Sequence, residues 1–147
     1  MTSRELHLAS CVPVAFLAVL VGHHPLITVP LVAGVLLPEI DAFDERLHRS
    51  WLAHSLFLPA FAYWGLNQIN VLTPVIEISI HFITLGIILH LIADYVFPKG
   101  MDHQGSEWPV RPAVPAPHWG LFWMGLAWAF QWFWYLVPAF LPWLGGF

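Results

Sequence analysis

Leu-Leu-Pro-Glu-Ile-Asp-Ala-Phe-Asp-Glu-Arg-Leu-His-Arg-Ser-Trp-Leu-Ala-His-Ser, residues 36–55, is a polar cluster set between two apolar runs. Glu39, Asp41, Asp44 and Glu45 are four of the nine acids in the chain, and Arg46, His48, Arg49 and His54 stand among them. A cluster of this kind is either a solvated acidic loop or a polar site that the flanking runs hold in place. Carboxylates mixed with imidazoles suit a divalent ion of the zinc, manganese or iron type.

The rest of the chain bounds the choice. Of 147 residues, 59 % are hydrophobic and only 10 % are charged. Soluble domains carry about a quarter charged residues, so the composition predicts a single all-α, polytopic integral membrane domain over residues 1–147. Net charge is −4 with histidine neutral, and no basic run calls for nucleic acid. Cys11, the single cysteine, excludes an internal disulfide. Leu8-Ala9-Ser10-Cys11 loosely resembles a lipoprotein cleavage box, but it precedes the apolar stretch rather than following it. The segment reads as a retained membrane helix.

Residues 8–37 are apolar except for Gly22-His23-His24-Pro25, and they form either one broken span or a hairpin of two short helices. Further helices are expected over about 50–69, 73–97 and 118–141. Thr73-Pro74 supplies a start for the second of these and Pro98-Lys99-Gly100 a stop. The basic residues decide between span and hairpin. If residues 8–37 return to the face they left, then Arg4, Arg46, Arg49, Lys99 and Arg111 all fall on one side, which the positive-inside rule makes cytoplasmic. The expected architecture is therefore an N-terminal helical hairpin plus three full spans, with the site and the N-terminus cytoplasmic.

His90-Leu-Ile-Ala-Asp94 is the second polar cluster. Residues four apart on a helix point the same way, so this pair either chelates one ion or ties helices together. A carboxylate at membrane depth is costly unless partnered, which makes Asp94 a functional candidate. Topology adds to this: one polar layer at the cytoplasmic end would collect His7, Asp41, His48, His54, His90, Asp94, His103 and His118. Glu77 and His81, nearer the far end of the same helix, read as a structural pair. His23 and His24 read as interfacial residues at the far turn. Trp119, Trp123, Trp128, Trp132 and Trp134 read as anchoring and lipid-facing positions.

Taken together, Gly34-x-x-Leu37-Pro38-Glu39-Ile40-Asp41, His48-Arg49, His54-Ser55, Gly86-x-x-x-His90-x-x-x-Asp94 and Gly100 resemble the membrane-bound metal-dependent hydrolases. These are also called the LexA-binding, inner-membrane-associated hydrolases. The resemblance spans about residues 7–118. It departs at Glu39, where the family usually has Asp, and at Ser50 to Ala53, where a glycine and a threonine are missing. It implies a prokaryotic inner-membrane protein whose divalent metal, zinc before manganese or iron, is held by Asp41, His54, His90 and Asp94. His7 or His118 would complete the shell. The implied reaction is phosphoester hydrolysis, with a lipid as the substrate suited to the setting. Glu39 or Asp44 would then serve as base, and Arg49 would stabilise anionic charge. The other reading is a non-catalytic accessory subunit that keeps the fold and binds other membrane subunits through residues 98–117 and the last helix.

Overall fold

The computed structural model describes residues 4–43, 51–96 and 117–147, and these are helical with no strand among them. Helix α1 runs Arg4–Leu20. Gly22 stops it with φ +101°, a left-handed conformation that a side chain disfavours. The N–H of His23 reaches the carbonyl of Ala18 at 2.9 Å, and that of Gly22 reaches Val19 at 3.1 Å. This pair of bonds is a Schellman motif, and it turns the chain back. A short 3-10 turn, Pro25–Ile27, is capped by His24, whose Nδ1 accepts from the N–H of Leu26. It leads into α2, Thr28–Leu36, and then a 3-10 segment, Leu37–Phe43. His7 near the start of α1 meets Glu39 just past α2, so the two helices form the expected antiparallel hairpin.

Helix α3 departs from the expectation. It covers Phe57–Gln68, only 12 residues, or about 18 Å, instead of the whole of 50–69. Pro59 is the reason. Its missing N–H is harmless in a first turn but would break a helix begun at Ser50. Ser55 sets the start: its hydroxyl donates to the carbonyl of Trp51 and accepts from the N–H of Phe57. At the far end Asn70 adopts φ 56°, and Val71 and Asn70 bond back to Leu66 and Asn67, a second Schellman motif.

Helix α4 spans Pro74–Val96 and is the centre of the molecule. Thr73 caps it through a bond from the N–H of Ile76 to its hydroxyl. On one side α4 packs against α1 and α2 around Cys11, Ala18, Leu31, Val35 and Phe82. Gly34 and Gly86 let α2 and α4 approach until a Cβ on Gly34 would lie 2.1 Å from the carbonyl oxygen of Ile83, and one on Gly86 2.2 Å from that of Leu31. On the other side α4 packs against α3 and the last helix around Ala60, Ile80, Tyr135, Leu136 and Phe140.

The last helix is continuous from Pro117 to Gly145: α5 (Pro117–Gln131), a π-wound stretch (Trp132–Phe140) and α6 (Leu141–Gly145). Pro138 lies inside the π-wound part and cannot donate to an α-helical ladder. Within this stretch Tyr135 is fully buried. Its hydroxyl meets His81 Nδ1 at 3.0 Å and the Thr84 hydroxyl at 2.7 Å. Glu77 lies 3.9 Å from the other ring nitrogen of His81, so the expected Glu77–His81 pair is part of a bond between α4 and the last helix. Tyr135→Phe is expected to destabilise the protein by about 1–3 kcal/mol, because it removes the hydroxyl partner of the buried His81 ring; Thr84 keeps its bond to the carbonyl of Ile80. Thermal unfolding in detergent checks this, and an unchanged midpoint would remove the network from the list of stabilising contacts.

Among the described residues, two helices are long and apolar enough to cross a membrane: Pro74–Asp94 with 21 residues and Trp119–Gly145 with 27. The third full span expected over 50–69 is not among them, since α3 is too short. Trp119, Phe122, Trp123, Trp128, Trp132, Phe133 and Trp134 are all exposed along the last helix. An apolar surface of that extent is unusual in a soluble monomer.

Candidate metal centre

His90 and Asp94 lie one turn apart near the end of α4, where the start of α1 and the exit of α2 also come together. Each is set by a different constraint. The carbonyl of Val35, on α2, lies 2.9 Å from His90 Nδ1. A carbonyl can only accept, so Nδ1 carries the proton, and in the neutral ring the lone pair is on Nε2. Nε2 faces Asp94 Oδ2 at 3.3 Å. Asp94 Oδ1 faces His7 Nε2 at 3.1 Å. The His7 and His90 rings lie close, with centroids 4.0 Å apart. His7 and His90 are buried, and Asp94 is nearly so at 12 % exposure.

His7, His90 and Asp94 thus offer one ligand atom each, all within 4.8 Å of one another, and the group can hold a metal ion. The chemistry of the donors favours a cation. Two buried imidazoles meet one carboxylate, and a ring proton between His7 Nε2 and Asp94 Oδ1, or a metal in its place, can hold them together. Two nitrogens and one oxygen form a borderline set of the kind that zinc accepts in catalytic sites.

Two of the remaining sequence candidates, His54 and Glu39, lie beside this group. The ring of His54 stands edge-on to that of His90, with centroids 5.7 Å apart. It is presented by the turn that Ser55 closes ahead of α3. Glu39 lies on the far side of His7, its Oε1 3.5 Å from Nδ1, and its Oε2 accepts from Arg4 Nε at 2.8 Å. Asp41 belongs to the 3-10 segment Leu37–Phe43, and His118 opens α5; the side chains of both lie outside the described residues. So do Asp44, His48, Arg49 and His103 in their entirety. Two participants were missed in the sequence. Arg4 carried a legible signal, since it lies three residues before His7 on one helical face. The backbone carbonyl of Val35 carried none, because any residue has one.

Among the described residues the chain is therefore all-helical, with two helices long and apolar enough to cross a membrane and a His-His-Asp cluster that could hold a metal ion. No protein-family profile, no curated protein and no solved structure matches it.

Proposed function

We propose that this chain is a membrane-embedded metal-dependent hydrolase of the membrane-bound metal-dependent hydrolase type, acting on a phosphoester, with a lipid as the substrate class. The observation that supports it is the convergence of His7 Nε2, His90 Nε2 and Asp94 on one buried point. Three protein ligands leave a coordination position open, as catalytic zinc sites do. Zinc bound there would supply a water with a pKa of about 7 and polarise a phosphoryl oxygen. His7 and His90 would supply the nitrogen ligands and Asp94 the negative charge. The membrane setting draws on the two long apolar helices and the exposed aromatic surface. Helices α1, α2 and α3 are partial spans around the site. The cytoplasmic, inner-membrane placement draws on Arg4, which sits at the site end. Arg46, Arg49, Lys99 and Arg111 lie outside the described residues.

His54 beside His90 motivates a second reading. As a fourth ligand it would close the shell and make the metal structural, which suits a non-catalytic accessory subunit.

The first experiment is elemental analysis of detergent-purified protein after metal repletion. Near-stoichiometric zinc is expected in the wild type, and less than about a tenth of that in His90→Ala. A wild type without metal would sink the hydrolase reading. With metal established, a phosphoester screen separates the two readings: turnover favours the enzyme, and a metal-loaded protein inert to every phosphoester class favours the subunit.

A further inference from the structure

We propose that Glu39 and Arg4 are positioning residues of the metal centre: Glu39 orients the His7 ring, and Arg4 holds Glu39. The proposal rests on the metal-centre reading above. For His7 to present a lone pair at Nε2, beside Asp94, its proton must sit on Nδ1 and find an acceptor. The ring is only 1 % exposed, so bulk water cannot serve. Glu39 Oε1, 3.5 Å from Nδ1, is an acceptor in reach. The other oxygen of the same carboxylate takes the Nε–H of Arg4 at 2.8 Å.

Helical spacing makes this arrangement economical. Arg4 and His7 are three residues apart on α1, so they project from one face. Each takes one oxygen of a single carboxylate delivered from the 3-10 segment after α2. The base of the α1–α2 hairpin is thereby tied at the residue that must be aimed. His90 is aimed in the same way, with Val35 O as its acceptor. The difference is charge. A carboxylate on the outer N–H strengthens an imidazole as a ligand more than a neutral carbonyl does. Glu39 is thereby held against His7, and its role is to act through that ring.

The test is zinc affinity of the purified full chain, by competition with a chromogenic chelator, together with the visible absorption spectrum of the cobalt-substituted protein. Glu39→Gln keeps the shape and removes the charge. It is expected to weaken zinc binding about 10–100-fold and to shift the cobalt bands, with Glu39→Asp restoring part of the affinity. Arg4→Gln, at a side chain 72 % exposed where folding is not at stake, is expected to weaken zinc binding by a smaller factor in the same direction. Wild-type affinity and an unchanged cobalt spectrum in both Glu39→Gln and Arg4→Gln would overturn the proposal and leave the metal centre standing. A wild type that binds neither zinc nor cobalt would overturn both.

Discussion

Gly86→Ala is expected to push α2 and α4 apart and to cost the protein both stability and its metal. The added Cβ would meet the carbonyl oxygen of Leu31 at 2.2 Å, the backbone nitrogen of Val35 at 2.8 Å and the Cα of Gly34 at 2.9 Å. All three are backbone atoms of α2, so no side chain can rotate away. The helices must separate by more than an ångström on the order of ordinary van der Waals spacing. Overpacking of this kind costs typically 1–3 kcal/mol and more against backbone, so a fall of ~6–12 °C in the unfolding midpoint is expected. The metal is lost by a specific route. Gly86 lies one turn before His90, and Gly34 is next to Val35, whose carbonyl holds His90 Nδ1 at 2.9 Å. Separating the helices removes that acceptor and frees the ring to turn. Gly125 is the control, because a Cβ there meets nothing within 4 Å; Gly125→Ala should leave zinc content unchanged and raise stability by up to ~1 kcal/mol. If Gly86→Ala melted and bound zinc like the wild type, the close α2–α4 contact would not be what sets the site.

The second large effect is expected at Asp94. The carboxylate lies between His7 Nε2 at 3.1 Å and His90 Nε2 at 3.3 Å, mostly out of solvent. Asp94→Asn keeps the shape but drops the charge, and it weakens the contacts with both buried rings. Metal-free Asp94→Asn is therefore expected to unfold at a lower temperature than metal-free wild type, and zinc widens the difference. At a free zinc concentration 100 times the dissociation constant, binding stabilises the wild type by about 2.7 kcal/mol. The variant, lacking the only anionic ligand of the cluster, should show no zinc-dependent rise. Calorimetry on both proteins, with and without zinc, reads the two effects separately. A zinc-dependent shift in Asp94→Asn equal to that of the wild type would remove Asp94 from the ligand set.

Patterns confined to one helix were legible without coordinates. Thr73 and Pro74 marked the start of α4, and the observed helix begins at Pro74. His90 and Asp94 had to share a face at four-residue spacing. The hairpin followed from the charge asymmetry, and Gly22 closes it. The shorter α3 also has a local cause: Pro59 forbids an interior helical position in residues 50–69. The π-wound stretch around Pro138 is different. A proline in a helix announces a disturbance, but whether it becomes a kink, a break or a π-turn depends on what the neighbouring helices satisfy.

The sequence by itself determined the helical class, the apolar helices, the turn chemistry and the identity of the polar residues that need partners. These follow from composition and from interactions a few residues long. Only the tertiary structure decided which partners meet. His7 reaches Asp94 across 87 positions, His90 reaches Val35 across 55, and Arg4 reaches Glu39 across 35. Such contacts depend on how far each helix is rotated about its axis and how closely two backbones approach. At the α2–α4 contact that distance is set by Gly34 and Gly86 together, and neither glycine reveals its partner until the helices are packed.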